Sequence, residues 1–151
     1  MVFKLNIADK TGKTFKLESE AEELVGKELH EKVQGIDISP ELKGYEFEIT
    51  GASDKAGFAA KDDVPGIGLG RVLLTFGKYM NKKPRREGKK QIGKNRPKGL
   101  RLRKTVRGKI ISPAITQINL KIIKEGHKKL QEIFPEQNQP KPKAEEAPKS
   151  E

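Results

Sequence analysis

Apolar side chains alternate with polar ones in short stretches along most of this chain, and that period of two leaves little choice of fold. Phe3, Leu5 and Ile7 fall on one face with Lys4 and Asn6 on the other; Thr11-Gly12-Lys13 then turns, and Phe15 and Leu17 alternate with Lys16 and Glu18. These two stretches read as a hairpin. In 44–50, Tyr45, Phe47 and Ile49 oppose Glu46 and Glu48, the pattern of a strand buried on one face only. Residues 71–76 make a further strand ended by Gly77, 103–111 another with Val106 and Ile110 on one face, and 115–124 the last, with Ile118, Leu120 and Ile122 aligned. Helical spacing is confined to Leu130, Ile133 and Phe134, closed by Pro135. Ser19 and Glu22 stand at capping-box spacing before one or two helical turns over 20–25, and 26–40 read as loop around Leu29, Val33 and Ile36. Six short strands with so little helix predict a mainly β fold, a small antiparallel six-stranded barrel carrying a short C-terminal helix.

A second feature withdraws a long segment from any core. Between Lys78 and Lys109 the chain carries fifteen Lys or Arg residues and a single acid, Glu87. Such residues repel one another and stay solvated. Pro84, Gly88, Gly93, Pro97 and Gly99 keep most of the stretch out of helix and ladder. An extended basic arm over 78–109 is expected, and a polyanion relieves its repulsion. The predicted phosphate-binding side chains are Lys78, Lys82, Lys83, Arg85, Arg86, Lys89, Lys90, Lys94, Arg96, Lys98, Arg101, Arg103, Lys104, Arg107 and Lys109. Arginines should count for more individually, because the guanidinium fork can bind phosphate through two hydrogen bonds. Tyr79 is the one aromatic residue in the arm. Single strands gripped by base stacking would want several such platforms, so folded RNA read by shape and backbone fits better.

Charge is also unevenly placed. Of the net +11, residues 1–60 hold eight bases and twelve acids, residues 61–135 twenty-one and five, and residues 136–151 three and four. A slightly acidic platform thus precedes an intensely basic segment. With 33% hydrophobic and 5% aromatic residues there is material for one core, which assigns 1–134 to a single domain containing the arm. Residues 135–151, rich in Pro, Lys and Glu and offering only alanine as an apolar side chain, are expected to be a disordered tail. The chain has no cysteine, so disulfides and thiolate metal sites are excluded. No apolar run reaches membrane-spanning length, and the start lacks the apolar core of a signal peptide. The expectation is a cytosolic protein without membrane contact.

Catalytic chemistry finds no nucleus. His30 and His127 lack spaced metal-binding partners, and Asp62-Asp63 reads as a solvated turn. Gly66-Ile67-Gly68-Leu69-Gly70 has the look of a phosphate loop but lacks the Gly-Lys-Ser/Thr ending and leads into a strand pattern; Ile67 and Leu69 are expected to pack beneath the arm. No enzyme, cofactor, metal or small-molecule substrate is predicted. Binding of duplex DNA would want a groove-reading helix, which the basic segment does not offer. Ile49-Thr-Gly-Ala-Ser-Asp-Lys-Ala-Gly-Phe58 reads as a strand running into a shaped turn. Gly51, Asp54, Gly57 and Phe58 are its structural residues, with Asp54 suited to accept a backbone hydrogen bond and glycine to tolerate positive φ.

That turn, followed by Arg85-Arg86-Glu87-Gly88 and Arg103-Lys104-Thr105-Val106-Arg107-Gly108, resembles the eukaryotic/archaeal-type family of small-subunit ribosomal protein six. Gly51, Asp54, Gly57 and Phe58 match the family's Gly-Gly-x-Asp-x-x-Gly-Phe-Pro-Met pattern, while Ala52 and Ala59-Ala60 depart from it. The opening Phe3-Lys4-Leu5-Asn6-Ile7 and the strand at 115–124 also fit, so the resemblance spans about residues 2–127. It implies a small β-barrel that binds small-subunit ribosomal RNA beside neighbouring ribosomal proteins, in the cytoplasm and without catalysis. The chain lacks the long basic C-terminal helix of the eukaryotic members, which resembles the archaeal branch.

Overall fold

The alternating stretches from the two ends of the chain meet in one sheet. A computed structural model describes residues 2–80 and 99–138; the basic positions from Lys82 to Lys98 and the tail from 139 onward lie outside the described residues. Strands β1 (Phe3–Ala8), β2 (Thr14–Ser19), β3 (Lys32–Gln34), β4 (Glu46–Asp54) and β7 (Ile115–Lys124) form a five-stranded sheet in the order β2-β1-β7-β4-β3, and β5 (Leu69–Thr75) pairs with β6 (Arg101–Arg107) as a separate two-stranded ribbon. One short helix, α1 (Leu130–Ile133), follows β7.

Register follows burial. Leu5 stands beside both Leu17 and Ile118, Ile49 beside Leu120, and Phe47 beside Ile122 and Val33, so one face of the sheet is continuous hydrocarbon. Phe3, Leu5, Ile7, Phe15, Phe47, Ile49, Ile118 and Leu120 are fully buried, joined by Leu24, Ile38 and Leu42 from the 3-10 turns and their flanks. Burying each such side chain contributes roughly 1.5–3 kcal/mol. Shifting any of these strands by one residue would turn its buried set to solvent, and that fixes the pairing.

The barrel and the six-strand count are corrected. The described residues hold seven strands, and β2 and β3 lie at opposite edges of an open sheet. Nor is the sheet wholly antiparallel, since β1 runs parallel to β7. An open sheet leaves unpaired backbone groups along its edge strands. On β2 they are met by side chains: the Gln137 amide accepts from Lys16 N–H (2.7 Å) and donates to the Lys16 carbonyl (2.8 Å), and Asn138 donates to the Thr14 carbonyl (2.9 Å). Phe134 packs on Phe15 beneath this clasp, with ring centroids 5.9 Å apart. Residues 135–138, assigned by sequence to the tail, therefore form a turn bound to the sheet. Ser19 makes no capping box; its hydroxyl donates to the Ile38 carbonyl (2.7 Å).

β4 runs four residues past the expected Thr50, through register shifts at Ile49/Gly51 and Ser53/Asp54. Such bulges bend and twist a strand. They carry its end toward the ribbon. The ribbon has its own core, Leu74, Met80 and Val106, with Val72, Leu102 and Tyr79 packed against it.

The loop before β5 is strapped to the end of β6. Gly108 N–H donates to the Gly68 carbonyl (2.9 Å), and Lys109 N–H to the Val64 carbonyl (2.9 Å). This accounts for the glycine-rich stretch as a structural crossing. Ile67 and Leu69, expected to pack beneath the arm, are 55% and 53% exposed. A Cβ on Gly108 would overlap the Gly66 carbonyl oxygen. Gly108→Ala is expected to cost about 2 kcal/mol or more through forced backbone movement, read as a lowered denaturation midpoint; an unchanged midpoint would refute the close crossing.

Candidate nucleic-acid interface

The ribbon sorts its side chains by alternation. Gly70, Val72 and Leu74 of β5 share a face with Leu102 and Val106 of β6, and that face closes the small core. The opposite face carries Arg101 across from Thr75, Arg103 across from Leu73, and Thr105 across from Arg71. Arg71, Arg101 and Arg103 are all exposed there, with Leu73 half exposed between them. Arg71 lies outside the basic run and was missed by counting charge. A signal that could have found it is the period of two, which sets Arg71 and Thr75 on the face opposite Val72 and Leu74. The strand expected over 103–111 is found at Arg101–Arg107, so this end of the basic segment is ladder-bound.

Arg107 behaves differently from its neighbours. Its Nε and Nη2 both donate to Asp54 Oδ2, at 3.1 and 2.9 Å, while Nη1 donates to the Ile67 carbonyl at 3.1 Å. The side chains of Arg107 and Asp54 are 14% and 5% exposed. Asp54 Oδ1 accepts from Phe58 N–H (2.8 Å), and the Asp54 carbonyl accepts from Gly57 N–H (3.0 Å). Gly57 has φ +85°, which the turn requires and L side chains resist. Burial alone pushes the Asp54 carboxyl up, but the Phe58 N–H and the Arg107 guanidinium outweigh it and hold the group below its ordinary value of 3.8. The backbone repeats the link: Arg107 N–H donates to the Ala59 carbonyl (2.9 Å), and Lys61 N–H to the Arg107 carbonyl (3.0 Å). This cluster fastens the ribbon to the end of β4. Asp54, Gly57 and Phe58 form the turn, whereas Gly51 lies within β4 opposite Asn119, and Asp54 reaches the second arginine-rich block.

The other described basic positions are spread around this anchor. Lys109 pairs with Glu28 at 2.6 Å. Lys78 donates to the Thr50 carbonyl at the β4 bulge (3.3 Å) and lies 5.3 Å from the centroid of the Tyr79 ring. Lys61, which was not predicted, lies 5.6 Å from the same ring and pairs with Asp63. Lys104 is exposed beside Tyr79 on the rim of a cavity. Lys82, Lys83, Arg85, Arg86, Lys89, Lys90, Lys94, Arg96 and Lys98 lie outside the described residues.

His30 is less isolated than its sequence position suggested. It sits at φ +68°, with Nδ1 3.0 Å from Glu48 Oε1 and Nε2 3.5 Å from Asp62 Oδ1. The hydrogen bond to Glu48 raises its pKa above 6.5; partial burial opposes this, and Asp62 adds to it. The stabilisation is therefore fully present below the unfolded value near 6.5 and is lost as pH rises through the folded value. An NMR titration should place the imidazole above 6.5 in the native protein, with Glu48→Gln moving it back down; an unmoved midpoint in that variant would remove Glu48 as the cause. Among the described residues no three His, Cys, Asp or Glu side chains gather at metal-binding distance, and no helix is long and apolar enough to cross a membrane.

Fold and site together define a mainly β protein whose open sheet carries a separately cored basic ribbon. The model of the ribosomal protein S6e family matches residues 3–135, and the chain belongs to that family. It is 41% identical over 127 residues to the small ribosomal subunit protein eS6 of Methanococcus maripaludis strain C5, an alignment covering 83% of this chain and 90% of that one. Proteins of the same name from Archaeoglobus fulgidus and Methanothermobacter thermautotrophicus are 37% and 39% identical, each over 89% of this chain and 96% of the relative. All three are named as ribosomal proteins, and the chain is a ribosomal protein of this family rather than an enzyme. The family is the one that the turn at 49–58 and the two arginine-rich blocks resembled.

Proposed function

We propose that this chain is a structural constituent of the small ribosomal subunit in the cytoplasm, binding small-subunit ribosomal RNA chiefly through the phosphates met by its basic arm and ribbon, beside neighbouring ribosomal proteins. The observation that carries the reading is the concentration of fifteen cations within 78–109 of a chain whose first sixty residues are net acidic. The relatives' name, small ribosomal subunit protein, supports the particle. In this reading Arg101, Arg103 and Lys104, with the run from Lys82 to Lys98 and the added Arg71, meet phosphates. Lys78, exposed at the bulge, is within the same phosphate-binding set, while Arg107 and Lys109, already paired with Asp54 and Glu28, hold the ribbon in place. Gly51, Asp54, Gly57 and Phe58 shape the surface beside it. The protein acts by neutralising charge where RNA backbones converge, and counterion release offsets the ordering it requires.

Sedimentation of native lysate tests this. The protein should travel with the small ribosomal subunit at moderate salt and leave it only at high salt. Recovery only in light or DNA-bound fractions at moderate salt would overturn the assignment.

A further inference from the structure

Between the Asp54–Phe58 turn and the ribbon lies a half-open cavity of about 330 Å³, within the range of small-ligand sites. Ala56, Gly57 and Ala59 of the turn form one wall, and Thr105 and Val106 of β6 another. Phe58 and Tyr79, both half buried, supply aromatic surface. Lys104 lines the cavity, and beside the Tyr79 ring lie the ammonium groups of Lys78, 5.3 Å from the centroid, and of Lys61, 5.6 Å away and paired with Asp63. A cavity lined by two aromatic rings and Lys104, with Lys78 beside the Tyr79 ring and no lining acid, selects a ligand that is both aromatic and anionic. A nucleotide has that chemistry. An acyl chain lacks the flat ring, and a basic side chain would meet like charge.

We infer that this cavity takes one unstacked base of the bound RNA, stacked against Tyr79, with its flanking phosphates on Lys104 and Lys78. The inference rests on the proposed RNA binding and adds to it a single point of contact with a base. Lys78, exposed and held by a carbonyl and the ring face, turns from the ring to a phosphate as the base enters, so stacking replaces a cation–π contact. The slot is prebuilt. Its two walls are joined by the Asp54–Arg107 pair and Tyr79 packs against the ribbon core, so the turn and the ring are already in place when the RNA arrives.

Electrostatic RNA affinity is largely independent of sequence, so a generic probe serves. The full chain is titrated with two RNA hairpins of equal length and charge, one fully paired and one with a single bulged 2-aminopurine. The bulged hairpin should bind about tenfold more tightly, as one stacked base implies, with its fluorescence changed on binding. Tyr79→Ala should bring the ratio of the two affinities to about one. Because that change also trims the ribbon core, Ala56→Trp, which fills the slot from an exposed position, is measured beside it and should do the same. Equal binding of both hairpins by the native chain, or a ratio unchanged in Ala56→Trp, would overturn the base slot and leave phosphate binding standing. Binding of neither hairpin at low salt would overturn both.

Discussion

Replacing Asp54 by alanine is expected to cost this fold about 3–5 kcal/mol, because it strips the counter-charge from an inward-turned arginine. Against a typical total of about 5–15 kcal/mol that loss is severe. Asp54 accepts from two Arg107 nitrogens and from Phe58 N–H, so the alanine also leaves the turn's amide without its acceptor. Asp54→Asn, which can still accept from Phe58, should lose less. Arg107→Lys keeps the charge but not the fork, and should fall between native and alanine. Urea midpoints and a double-mutant cycle read these directly. A deficit for Asp54→Ala within about 0.5 kcal/mol would show the pair to be idle. The pH dependence gives an independent check. Since the folded Asp54 pKa lies below 3.8, its contribution is present above that value and is lost as pH falls through the folded one. The gap between native protein and Asp54→Ala should therefore narrow in acid.

The second large effect concerns RNA. If about eight phosphates are neutralised, log affinity should fall with log salt at a slope of roughly −6 to −7, or about four orders of magnitude between 50 and 200 mM. Alanine at Arg101 or at Arg103 should each make the slope shallower by about one unit. Arg107→Ala should lower stability more than it changes the slope, since that side chain is already committed to Asp54. Salt titration of RNA binding for the native chain and these three variants separates the two kinds of arginine. A slope near zero would remove phosphates as the main contact, and an Arg107 effect equal to that of Arg103 would remove the division of roles.

Why the sequence displayed some of this and concealed the rest follows from what a period can encode. Phe3-Leu5-Ile7, Phe47-Ile49 and Ile118-Leu120-Ile122 announced their strands because one face of each is wholly buried. β3 was hidden, since a strand of three residues with Val33 alone as its apolar member has no period to detect. Alternation also says nothing of partners, so the parallel β1–β7 pairing and the open edges were out of reach. The clasp at Gln137 and Asn138 was lost for a different reason: it depends on two amides among residues whose composition matches a tail. At the site, charge density found the basic run and the turn pattern found Asp54. Neither could tell that Arg107 faces inward while Arg101 and Arg103 face out, because all three fall on the same side of one strand.

The parallel pairing of β1 with β7 has a consequence in time. Phe3–Ala8 leaves the synthetic machinery before the other described strands, yet its second neighbour in the sheet, Ile115–Lys124, is the last of them to be made. At ordinary synthesis rates the gap is on the order of ten seconds. Through that interval β1 can close only its hairpin with β2, while the whole basic run emerges ahead of the strand that completes the core. A nascent chain of this kind displays its cations to any nearby polyanion before it has a finished sheet to present them on, so the order of synthesis sets charge before shape.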